Sequence, residues 1–287
     1  MFLRSLLLLC LPLLACSGSS LPEKNVETEN KTSGLISLHP AITETIFYLG
    51  AQDKLIGRSD YCTNPSEAEK LAKFGTSFTP NLEAIAKEKP QGIFADQSIA
   101  AQNNSLKQLT TVHELAWQTK EDIESSIATL GQILEVRDAA DALVLQFQQN
   151  LAAARQPQNK ESVLMIMLGS DIQKGQIWYI RKDSLHGTAL EAAGYHNAAP
   201  EVKTTPSMSL EELIAINPDI ILLMGTDALN QKTVEDTISI LRQLPQLNAA
   251  QRNHIARIHM HNVHGIGPGI LELPQNIIKT IESLPHK

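Results

Sequence analysis

The 287-residue chain has no excess of basic charge: 24 lysines and arginines stand against 31 aspartates and glutamates, for a net charge of -7. Nucleic-acid binding rests on a stripe of cations facing phosphates, and without one a nucleic-acid partner is excluded. Cysteine is scarce too, with three in the chain, so this is not a small domain stapled by disulfides. Neither H-E-x-x-H nor G-x-S-x-G occurs, nor any other recognisable nucleophile constellation. An exported hydrolase or metalloenzyme would have nothing here to carry its chemistry, and the chain reads as non-enzymatic. No apolar run approaches the roughly 20 residues that span a bilayer.

What is present is a repeated phrase. Residues 81–94 read NLEAIAKEKPQGIF and residues 209–222 read SLEELIAINPDIIL, 128 positions later. In each copy a capping side chain (Asn81, Ser209) precedes a leucine, a glutamate (Glu83, Glu211) and a run of helix formers, which a proline (Pro90, Pro218) stops before an apolar, β-rich stretch. Asn and Ser oxygens accept from the free amides of a first helical turn, and proline cannot continue a helix. Each copy therefore predicts a short helix feeding a strand, and two copies predict two similarly built lobes. With 43% hydrophobic residues the chain can bury one large or two medium cores. On local chemistry alone the glutamates are explained by the favourable placing of a carboxylate in a first turn.

The N-terminus has Arg4, an apolar run from Leu6 to Leu14 and small residues after it, the pattern of an export signal. Leu13-Leu14-Ala15-Cys16 resembles the lipobox of bacterial lipoproteins, which makes Cys16 the expected lipidation site. Ser17 in place of an aspartate favours the outer membrane. The polar stretch that follows reads as a disordered tether. With Cys10 in the signal and Cys16 acylated, Cys62 is left without an intramolecular partner, and a buried, small, apolar role suits it. The expected divisions are 1–15 signal peptide, 16–33 tether, 34–120 N-terminal lobe, 121–160 connector and 161–287 C-terminal lobe.

Within the lobes, short apolar runs alternate with helical patterns, which predicts parallel sheets covered by helices. Ligands of such sheets sit beyond the carboxyl ends of the strands, where His39, Tyr61, Cys62, Phe78, Asp96 and Gln97 fall. Residues 66–73 read as helical. In the second lobe the IARIHM strand opens onto HNVHGIGPG, and a terminal helix follows from about Leu271 to Leu284. His259, His261 and His264 form an H-x-H-x-x-H cluster, and 259 and 261 share a face if that strand continues; direct metal ligation, a polar cleft wall and simple surface placement all remain open. Trp178 and Tyr179 point to opposite sides of an extended segment, so one of them can offer a flat face to a macrocycle. Between residues 121 and 155 there is no proline and one glycine, with Ala140, Leu143, Val144, Phe147 and Leu151 on one stripe. This stiff connector is either a single long helix or two helices broken near Val136.

LISLHPAITETIFYLGA, LIGRSDYCTNPSEAEKLAKFGTSFTPNLEAI, SLEELIAINPDIILL and GPGILEL together resemble substrate-binding lipoproteins of bacterial ABC importers, in the class that delivers cobalamin, haem and ferric siderophores. The chain is most similar to the periplasmic cobalamin-binding type. The resemblance implies two α/β lobes with parallel-rich sheets, joined by a single long backbone helix, with the ligand in the cleft between them. It implies docking of Glu83 and Glu211 on arginines of a permease dimer that works with an ATPase. The protein would be a monomer without a cofactor of its own, lipid-anchored on the periplasmic face of a bacterial membrane. Its cargo would be a small metal chelate, with cobalamin or another corrinoid favoured and haem or a ferric siderophore as alternatives. Expected ligand-binding residues are Tyr61, Phe78, Asp96, Trp178, Asn262 and His264, with His259 and His261 as candidate metal ligands. Gly269 stands where the family pattern has arginine, which counts against a strongly anionic siderophore.

Overall fold

In the computed structural model the described residues are 33–152, 160–201, 205–225 and 231–285. The expected signal segment, Cys16 and the tether up to residue 32 lie outside them.

The first lobe runs β1 (Leu35–Ser37), α1 (Pro40–Tyr48), β2 (Leu55–Arg58), β3 (Ala72–Lys73), α2 (Leu82–Glu88), β4 (Gly92–Asp96), α3 (Ala100–Lys107) and β5 (Val112–Leu115). Its sheet has the order β3-β2-β1-β4-β5 with every neighbour parallel. Two helices follow, α4 (Lys120–Ile133) and α5 (Arg137–Asn150). The second lobe comprises β6 (Ser162–Met167), β7 (Ile177–Trp178), α6 (Leu185–Ala192), β8 (His196–Asn197), β9 (Ser207–Met208), α7 (Leu210–Ile216), β10 (Ile220–Met224), α8 (Gln231–Arg242), α9 (Asn248–Gln251), β11 (Ile255–Arg257) and α10 (Leu273–Glu282). Here β11-β10-β6-β8 form a parallel sheet, and β7 pairs with β9 in an antiparallel ribbon. The α/β reading with two lobes of parallel sheet is borne out.

Side chains alternate across each strand, so both sheets bury two faces. Leu35 and Phe94 of the first sheet join Val163, Met165, Ile220, Leu222 and Met224 of the second in one central core, while Ile36 and Ile93 pack outward on one side and Leu164, Ile166, Ile221 and Leu223 on the other. That central core also takes in Ile123, Ile127 and Leu130 of α4 and Leu143 and Phe147 of α5. The connector is thus part of the packing of both lobes.

It is not a single long helix. The chain turns at Leu134–Val136, where Glu135 is left-handed at φ 58°, and α5 returns beside α4 as an antiparallel hairpin. Gln148 donates to Glu124 across the pair at 3.2 Å. Nearer the turn, a Cβ on Gly131 would stand 2.4 Å from that of Ala140, so the glycine permits the close crossing. The stripes of both helices need the same core, and folding back gives both access to it.

Three smaller expectations also change. Residues 66–73 form a 3-10 turn over Ser66–Lys70 and then β3; only Ala68 in the turn is buried, so no apolar stripe extends it. The last strand stops at Arg257, because its neighbour β10 ends at Met224 and leaves residues 259 and 260 without a ladder partner. The terminal helix is likewise divided, with a 3-10 turn over Pro268–Glu272 ahead of α10.

Candidate functional site

The carboxyl ends of β1, β2 and β11 open toward one another. His39 follows β1 by two residues and stands at the N-cap position of α1, whose first residue is Pro40. After β2, the buried Arg58 guanidinium donates to the carbonyls of Ser59 at 2.9 Å, Asp60 at 3.3 Å and Glu69 at 3.5 Å. This binds the loop to its own base and leaves Tyr61 projecting, 69% exposed. Cys62 beside it is wholly buried, its thiol 3.0 Å from the Ser59 hydroxyl. From the second lobe comes the segment after β11. Together His39, Glu44, Tyr61, Asn64, Asn262 and His264 line a cleft of about 320 Å³.

Tyr61, Asn262 and His264 are therefore brought together as expected, and three other expected ligand residues are not. Phe78 stands 66% exposed at the tip of a turn closed by the Thr76–Thr79 hydroxyl pair at 2.8 Å. Asp96 accepts from the Ser98 amide at 2.8 Å and approaches His39 Nε2 at 3.7 Å, behind the cleft wall. Trp178 is tied into the β7–β9 ribbon opposite Ser207, half-buried, while Tyr179 is buried in the outer core of the second lobe. His259 and His261 are exposed past the end of β11, and among the described residues no three His, Cys, Asp or Glu side chains gather around a possible metal ion.

Glu44 is the residue that sequence reasoning missed. It is 8% exposed, on a helix whose other buried positions are Ala41, Ile42, Thr43, Thr45 and Ile46. A carboxylate inside so apolar a pattern was the available signal. It is the one formally charged side chain in the cleft lining, which among the described residues contains no lysine or arginine. Burial lowers the pKa of both His39 and His264, against an opposing pull from Asp96 on His39, so the two imidazoles are neutral at pH 7. A larger hollow of about 680 Å³, bordered by Tyr48, Glu67, Gln146, Asn150, Leu271 and Glu272, meets the cleft at Glu44 and Asn64.

The segment after β11 is steadied by His186 of α6, whose Nε2 donates to the Val263 carbonyl at 3.0 Å. Burial pushes this histidine from 6.5 down to about 4. A depressed pKa means the fold takes up the proton less readily than the unfolded chain, so stability is full above pH 6.5 and is lost as pH falls toward 4. The loss is on the order of 3 kcal/mol. Thermal midpoints should fall across that window, and His186→Gln should flatten part of the fall. A wild-type midpoint that holds steady down to pH 4 would contradict this.

The two copies of the repeated phrase match in detail. Asn81 accepts from the Ala84 amide at 3.0 Å and Ser209 from the Glu212 amide at 3.2 Å, with the Glu212 carboxylate accepting in turn from the Ser209 amide. Each helix closes on a left-handed residue, Lys89 at φ 52° and Asn217 at φ 47°. Because helices in parallel α/β units run against their strands, α2 and α7 begin at the same end of the sheets as the cleft. Glu83 and Glu211 are both exposed there. The Glu211 carboxyl is held below its usual range by its own backbone N–H and by Ser209.

Residues 35–261 match the family model described as periplasmic binding protein. The chain is 24% identical over 271 residues to an uncharacterized ABC transporter substrate-binding lipoprotein, YvrC, of Bacillus subtilis (strain 168), covering 90% of this chain and 82% of that one. It is 23% identical over 265 residues to a cobalamin-binding protein of Halobacterium salinarum, covering 86% and 69%. Among solved structures, the periplasmic heme binding protein HutB of Vibrio cholerae superposes with a TM-score of 0.72 at 21% identity, covering 85% of this chain and 97% of that one.

Proposed function

The chain belongs to the periplasmic binding protein family, and from that premise we propose that it is the substrate-binding component of an ABC importer whose cargo is a corrinoid. The protein captures its ligand outside the cytoplasm and delivers it to a permease that works with an ATPase, as a binding protein and not an enzyme. No helix among the described residues is long and apolar enough to cross a membrane; lipidation of Cys16 would supply the anchor.

The observation that carries the ligand assignment is the charge of the cleft. Tyr61, Asn64, Asn262 and two neutral imidazoles surround one carboxylate, and among the described residues no lysine or arginine lines the cleft to meet an anionic ligand. Haem carries two propionates and many ferric siderophores are anionic, and burying an unpaired carboxylate is costly. A corrin is rimmed by amides, which pair with Asn and Tyr side chains without needing a counter-charge. At about 320 Å³ the cleft seats one face of such a macrocycle, with the rest reaching toward the solvent. Haem is the second reading, and the exposed Tyr61 phenol, which could approach ferric iron, is what favours it.

The test is to purify the chain without residues 1–16 and record absorption spectra with cyanocobalamin, ferric haem and a ferric siderophore. A saturable shift with cyanocobalamin alone is expected. A shift with haem alone would replace the corrinoid by the second reading, and none with any of the three would point to bare metal or an oxyanion.

A further inference from the structure

The loop that brings Asn262 and His264 to the cleft is held from the opposite lobe. Glu44 Oε1 accepts from the Gly269 amide at 2.8 Å, and Oε2 lies 3.4 Å from Asn262 Nδ2, spanning 225 and 218 positions of sequence. Just beyond β5, Trp117 donates its Nε1–H to the Ile266 carbonyl at 2.9 Å. The backbone comes so near that a Cβ on Gly267 would stand 2.7 Å from the Glu44 carboxyl carbon. Asn262 itself is left-handed at φ 53°, and its carbonyl accepts from the Gly265 amide at 2.7 Å, which makes a tight turn that aims its side chain at Glu44.

A buried carboxylate is expensive to desolvate, and here both of its oxygens are engaged across the boundary between the lobes. Glu44 also sits where the cleft meets the larger hollow, so it is part of the wall that separates them. We propose that Glu44 is the positioning residue of the site: an interlobe strut that sets where Asn262 and His264 stand relative to Tyr61, and hence which ligand the cleft accepts. This rests on the cleft being the ligand site. Truncating the side chain leaves the Gly269 N–H without its acceptor, while changing the carboxylate to an amide sets donor against donor at Asn262 and so loosens the turn that carries both Asn262 and Gly269.

The geometry supplies its own rescue. Glu44→Gln keeps one acceptor for Gly269 but faces the Asn262 amide with a second donor, and Asn262→Asp sets two carboxylates against each other. The pair Glu44→Gln with Asn262→Asp restores donor against acceptor in reversed polarity. With cyanocobalamin as the probe, each single variant should bind at least about tenfold more weakly and the double variant within about threefold of wild type. In the ligand-free protein, hydrogen exchange at the Gly269 amide should speed up in both single variants and slow again in the double. Unchanged exchange in Glu44→Gln, or no recovery in the double variant, would overturn the proposal, as would altered exchange with unaltered affinity. If the wild type fails to bind cyanocobalamin, the corrinoid assignment falls and the exchange measurements alone decide whether Glu44 is the strut.

Discussion

Reversing both matched glutamates, Glu83→Lys together with Glu211→Lys, should abolish uptake while affinity for the ligand in solution changes by less than about twofold, because we propose that Glu83 and Glu211 dock on the permease. Both side chains are exposed at the first turns of helices on separate lobes, and neither lines the cleft. Glu83 has no side-chain partner among the described residues, so the fold does not depend on it. Reversal forfeits the favourable helix-dipole placement, about 0.3–1 kcal/mol at each site, which is too little to unfold the protein. An exposed ion pair is worth roughly 0–1 kcal/mol, so in the proposed docking role these carboxylates would orient and steer the complex more than they would bind it. Opposed like charges cost several kcal/mol, and two such clashes on a body whose lobes share one core cannot be relieved by moving one lobe. Transport at wild-type rate by the double variant would remove the docking role and leave helix capping as the whole account of the repeat.

Tyr61→Ala should weaken corrinoid binding by about 10- to 100-fold, a central aromatic being worth about 2 kcal/mol or more when truncated at an interface. Stability should shift by less than about 0.5 kcal/mol, because a side chain that is 69% exposed leaves no cavity behind. The Arg58-braced loop presents the ring before any ligand arrives, so little ordering is needed on binding. Tyr61→Phe should keep most of the affinity for a corrinoid, since the flat face is retained, but would lose a ferric ligand held through the phenol oxygen. Calorimetry on both variants separates the two: equal losses in Phe and Ala would indicate the phenol, and full affinity in Ala would place the ligand elsewhere.

How much of this could be read from the chain follows from how local each signal is. Asn81 and Ser209 cap their own helices, and Pro90 and Pro218 stop them, so the repeated unit was legible residue by residue. The position of Tyr61 at the cleft was legible because it lies in the short loop just past the end of β2. The hairpin in the connector was only half visible: the stripe marked both helices, but the turn is made by Glu135 in a left-handed conformation, without the glycine or proline that usually marks one. Trp178 was misplaced because its pairing partner, Ser207, arrives from beyond α6 and fixes it in a ribbon away from the cleft. The histidine cluster lost its shared strand because a strand's length is decided by its neighbour, here β10. The buried pattern around Glu44 marked it as an unusual carboxylate, but its role was not legible, since its partners Asn262 and Gly269 come from the far end of the chain.

Corrinoid binding in a cleft with no lysine or arginine among its described lining residues is tested most directly by equilibrium titration of residues 17–287 with cyanocobalamin, with ferric haem run alongside. One equivalent of cyanocobalamin bound with a dissociation constant of about 1 μM or tighter is the predicted result, with haem at least about 100-fold weaker. Stoichiometric haem binding with no uptake of cyanocobalamin would contradict it.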